Sequence, residues 1–64
     1  MKLDETINEL LVAKPSIEAT IERLIDDGFS SFEAGFILRH VYGISVQEGV
    51  HRVIMAREER GRSA

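Results

Sequence analysis

One phrase is written twice in this chain. GFSSFEAG, Gly28 to Gly35, and GISVQEGV, Gly43 to Val50, carry a Gly, an apolar residue, a Ser, a Glu and a small residue at matching offsets, 15 positions apart. Each phrase reads as a helix stop followed at once by a helix start. The glycine supplies the left-handed residue that ends a helix, and the apolar residue after it, Phe29 or Ile44, folds back on the finished turn. Ser30 with Glu33 and Ser45 with Glu48 then make S-x-x-E capping boxes, in which the hydroxyl accepts from the amide three residues on and the carboxylate reaches back to the serine amide. Connections this short force consecutive helices to pack on each other. The repetition specifies two corners of a helical fold.

The remaining punctuation predicts two helices before the first corner. Ser16 is the expected N-cap of one that runs to Gly28, with Ile17, Ile21, Leu24 and Ile25 at helical spacing and Glu18, Glu22 and Asp26 outside. Ahead of it, Ile7, Leu10 and Leu11 form a narrower stripe after Asp4 or Thr6, the latter opening a T-x-x-E box with Glu9. This predicts a short first helix, Asp4 to Ala13, which Pro15 breaks from the second while holding Lys14 at extended angles. The third helix, Ser31 to Tyr42, is apolar on most sides and is expected to be surrounded, leaving Glu33, Arg39 and His40 for water. The fourth, Val46 to about Glu58, turns Val46, Val50, Val53 and Ile54 inward and Gln47, Glu48, His51 and Arg52 outward. Gly35 and Gly49 fall inside helices, where each costs about 1 kcal/mol against Ala. Close approach of two helix backbones offsets that cost, with the floor of a partner groove as the alternative. No strand pattern is present.

Composition narrows the function classes. With 64 residues the chain is read as one small domain, core 16–59 with a frayed tail at 60–64, near the lower size at which packing alone outweighs chain entropy. It has no Cys, hence no disulfide framework or thiolate chemistry, and at 44% hydrophobic and 30% charged it is neither disordered nor membrane-spanning. The N-terminal MKLDETINEL does not have the form of a secretory signal, and a cytoplasmic location is the default expectation. The net charge of −3 divides unevenly: residues 1–33 hold eight acids against three bases, and residues 34–64 five bases against three acids. An acidic whole disfavours binding driven by phosphate neutralisation.

Catalytic and metal chemistry find little to work with. His40 and His51 are the only imidazoles, and neither the H-x-x-x-H nor the H-E-x-x-H spacing occurs. No glycine-rich phosphate loop exists, because Gly28 and Gly43 are each followed by a hydrophobe. Asp26 and Asp27 sit at a helix C-terminus, unfavourably for its dipole, a mismatch read first as loose surface tolerance and second as a contact for a basic partner. The segment LRHVYGISVQEGVHRVI also has a helix-turn-helix outline, with Gln47, His51 and Arg52 placed to read bases. Against that, Glu48 lies in the first turn of the second helix, where it would meet phosphate with like charge.

The same segment, Leu38 to Ile54, resembles the ubiquitin-associated-like module at the start of elongation factor Ts. Leu38, Arg39, Gly43 and Glu48 match its L-R-x-x-T-G-x-G-x-x-D/E-C/A-K pattern, while Tyr42, Gly49 and Val50 replace its Thr, its Ala or Cys, and its Lys. It is similar, more weakly, to the helical hairpin in the C-terminal domain of the bacterial ribosomal stalk protein. LIDDGFSSFEAGFIL is likewise similar to the ubiquitin-associated helix-loop-helix, with Asp27, Gly28 and Phe29 at the loop. These resemblances imply a helical module that binds other proteins, and carry over no binding residue and no named partner.

The expectation is therefore all-α: a compact three-helix bundle, like the ubiquitin-associated fold, preceded by a short N-terminal helix. The function expected of it is that of a non-enzymatic protein-protein interaction module, an adaptor, inhibitor or regulator without a cofactor or metal. The alternative is a helix-turn-helix-like regulator that binds DNA or RNA. The candidate contact residues are Phe29 and Tyr42 near the corners and Gln47, His51 and Arg52 on the last helix. Homodimer formation through Ile7, Leu10 and Leu11 would complete a small core.

Overall fold

The computed structural model describes residues 2–63. Four helices follow in order, α1 (Lys2–Ala13), α2 (Ile17–Asp26), α3 (Ser31–Tyr42) and α4 (Val46–Ser63), with no strand among the described residues. The chain is all-helical.

Both repeated corners have the expected chemistry. Gly28 is left-handed, φ 85°, and the Phe29 and Gly28 amides donate to the carbonyls of Leu24 and Ile25 at 3.2 and 3.1 Å, the paired bonds of a Schellman stop. Gly43, φ 76°, donates to the Arg39 carbonyl at 3.0 Å. At Ser30 the box closes in both directions, with the Glu33 amide donating to the hydroxyl and the Ser30 amide to Oε1 of Glu33. At Ser45 only the first half forms: the Glu48 amide donates to the hydroxyl at 3.1 Å, but the Glu48 carboxylate takes Arg52 instead. Ser16 caps α2 by accepting from the Ala19 amide.

Several boundaries differ from the sequence reading. α1 begins at Lys2, so Thr6 is an interior residue, 4% exposed, and Glu9 turns away from it to pair with Arg23 of α2. Lys14 is not extended but left-handed, φ 44°, and its amide closes on the Leu10 carbonyl at 2.8 Å. A non-glycine residue in that region costs about 1–2 kcal/mol, accepted here because Pro15 prevents the helix from continuing. The segment expected to fray is helical through Ser63. Arg60 holds it down by pairing with Glu22 and Asp26 of α2.

Leu10, Ile21, Leu24, Phe29, Ala34, Ile37, Leu38 and Val53 form the buried core, with all four helices or their corners contributing. α3 is the centre of the arrangement, packed against α1, α2 and above all α4. The α3–α4 seam is built on the absence of side chains. A Cβ on Gly49 would lie 3.0 Å from both Cα and O of Gly35, and one on Gly35 would lie 2.5 Å from Cγ2 of Val50. The two interior glycines are thus spent on backbone approach, as expected.

That approach leaves α3 less enclosed than its sequence implied. Three neighbours cover Ala34, Ile37 and Leu38, yet Phe32 remains 60% exposed and Phe36 39% exposed. On α4, Ile54 is likewise exposed at 43%, because buried Gly49 and Val53 define the inward stripe in its place. Leu10, one member of the expected dimer stripe, is fully buried within the monomer; Ile7 is half-buried and Leu11 exposed.

Candidate functional site

The candidate contact residues divide into two sets. Phe29 and Tyr42 face inward. Phe29 is 7% exposed and belongs to the core, with the Lys2 ammonium 5.4 Å above its ring and the Arg57 guanidinium donating to its carbonyl. Tyr42 is half-buried, and its hydroxyl hydrogen-bonds to the Pro15 carbonyl and lies 2.6 Å from the hydroxyl of buried Thr20. Both aromatic side chains are engaged in closing corners of the fold.

Gln47, His51 and Arg52 are exposed together on α4. They border two depressions that share His51. The smaller lies at the start of α4, between Ser45, Gln47, Glu48 and His51. The larger is an open groove of about 520 Å³ between α2 and α4. Ile21, Met55 and Ala56 supply its apolar floor, Glu18 and Glu22 its α2 wall, and His51, Arg52, Glu59 and Arg62 its α4 wall.

The groove follows from the sequence locally. Helical spacing puts Glu18 and Glu22 one turn apart on α2, and Arg52, Met55, Ala56 and Glu59 on successive turns of α4. Arg52 is poised by Glu48, whose carboxylate lies 3.1 Å from its guanidinium in an i,i+4 pair. At one end Arg60 crosses from α4 to α2 and pairs with Glu22 and with Asp26 at 2.9 Å. Hydrogen bonds donated to Asp26 first, then to Glu22, raise the Arg60 guanidinium above its ordinary range, and the bond donated to Glu9 does the same for Arg23. Asp26 and Asp27, read as a contact for a basic partner, find their bases inside the chain, Asp27 lying 3.5 Å from Arg23.

Met55, Arg62, Glu18 and Glu22 were not singled out as contact residues by sequence reasoning. Their signal was present only as a property of two helices together: the apolar Ile21 and Met55, 34 positions apart, mean nothing until α2 and α4 lie side by side. His40 is exposed on α3 and does not line this groove. Among the described residues no cluster of three or more His, Cys, Asp or Glu could hold a metal ion, and no helix is long and apolar enough to cross a membrane. No family model matches the chain, and no curated protein or solved structure matches it either.

Proposed function

We propose that this chain is a non-enzymatic protein-interaction module that docks a partner segment in the groove between α2 and α4. The observation that carries the reading is the groove itself, with an exposed methionine, 48% accessible, in a floor flanked by an acidic α2 wall and an α4 wall of mixed charge. An unbranched thioether adapts to an incoming apolar side chain, and the two charged walls fix its orientation. The partner suited to it is an amphipathic helix or turn with one apolar anchor, a carboxylate toward Arg62, and a cation toward Glu18. Gln47 and His51 extend the contact toward the α3–α4 corner. The order α2, Gly28 corner, α3, Gly43 corner, α4 supports a likeness to the ubiquitin-associated modules, themselves protein-binding.

Nucleic-acid binding through α4 is the weaker reading, because Glu48 neutralises Arg52 where a phosphate contact would form. Affinity capture from an extract of the source cells tests the proposal, using the wild-type chain, Arg52→Glu and Met55→Asp. A partner captured by the wild type and lost with both variants supports the groove. An unchanged set of captured proteins, or salt-sensitive capture of nucleic acid alone, contradicts it.

A further inference from the structure

The exposed face of α3 lies outside the groove and shares no residue with it. Phe32 and Phe36 stand there one turn apart, their rings edge-to-face with centroids 4.9 Å apart. An ordered aromatic pair left this open is costly in water, and aromatic residues of this kind are enriched at interface centres. The charges around it are arranged by helix polarity: Glu33 lies in the first turn of α3, and Arg39 and His40 in the last.

We propose that this face binds a second copy of the chain, with the two α3 helices antiparallel about a two-fold axis that passes at Phe36. The arrangement is self-complementary, as an isologous contact requires. With Phe36 against Phe36 of the second copy, helical periodicity puts Glu33 and His40 on one flank and Phe32 and Arg39 on the other. Reversing one helix brings Glu33 opposite His40 of the second copy, a carboxylate facing a hydrogen-bond donor, and lays Arg39 over the ring of Phe32 of the second copy. A parallel two-fold pairing would instead set Glu33 beside Phe32 of the second copy and His40 beside its Arg39, with no acid matched to a donor. On α4, Ile54, one turn beyond the Val50 that abuts Gly35, is exposed as well.

The dimer is weak and concentration-dependent. A standard interface buries about 800 Å² per partner, about a fifth of the 4200 Å² this chain exposes, and one pair of short helices covers less.

Sedimentation equilibrium of the full chain over a range of concentrations tests the proposal, alongside Phe36→Glu, Phe32→Glu and two single-cysteine variants. The chain has no native Cys, so a cysteine at position 36 reports its own two-fold neighbour directly, and one at exposed position 12 on α1 serves as the control. The expected result is a reversible approach to twice the chain mass. Phe36→Glu and Phe32→Glu should each weaken association by about tenfold or more, with unchanged helical circular dichroism. Mild oxidation should cross-link Phe36→Cys and not Val12→Cys. If Phe36→Glu fails to fold, Phe32→Glu and the cross-linking pair decide the matter. A strictly monomeric mass at every concentration, a dimer indifferent to both glutamates, or cross-linking at position 12 in place of 36 overturns the proposal.

Discussion

Tyr42 shows how much one hydroxyl does in a chain this small. It donates to the Pro15 carbonyl, in the α1–α2 connection, and meets the hydroxyl of Thr20, which is 1% exposed. The last residue of α3 is thereby tied to the start of α2. Replacing Tyr42 with Phe keeps the ring but leaves a carbonyl and a buried threonine without that partner, which costs about 1–3 kcal/mol. Chemical denaturation should show the midpoint falling with an unchanged slope. A Tyr42→Phe protein as stable as wild type would mean water replaces the hydroxyl at no cost. Leu10 makes the complementary case on α1. Fully buried, it should lose about 2–5 kcal/mol on truncation to Ala, while Val12→Asp, at a position 88% exposed, should leave the unfolding midpoint nearly unmoved.

At the scale of helices, starts and stops were legible where their chemistry is local. Ser16, Ser30, Ser45, Gly28 and Gly43 act on amides and carbonyls within a few residues, and each sits where the sequence put it. What was not legible depends on distant residues. The run of α4 past Glu58 rests on Arg60 meeting Glu22 and Asp26, which are 38 and 34 positions earlier. The open face of α3 was hidden for a similar reason: its apolar content says the helix prefers contact, not which sides three neighbours will reach. The groove belongs to this class too, being a joint product of α2 and α4, so that only its His51 and Arg52 were foreseen. Arg60→Ala should release the end of α4. Carbon chemical shifts of residues 58–63 should move toward coil values and their amides exchange faster, while those of α3 stay put. Retention of helical shifts there would show that α4 is held by something else.

The whole molecule depends on how closely α3 and α4 approach. The crossing at Gly35 and Gly49 sets the position of α4 against α2, hence the width of the groove, and turns Phe32 and Phe36 outward. A methyl group at position 49 would be driven against the Gly35 backbone at 3.0 Å, which cannot rotate aside. Overpacking of this kind costs about 1–3 kcal/mol and outweighs the roughly 1 kcal/mol that alanine returns through helix propensity when the clash is near the upper end. Gly61, also in α4, has open space where its Cβ would be, so alanine there should stabilise. Thermal unfolding of Gly49→Ala beside Gly61→Ala is therefore the most direct measurement. The glycine crossing predicts that the first melts several degrees below wild type and the second slightly above it, and a Gly49→Ala protein that melts higher, as Gly61→Ala does, would contradict it.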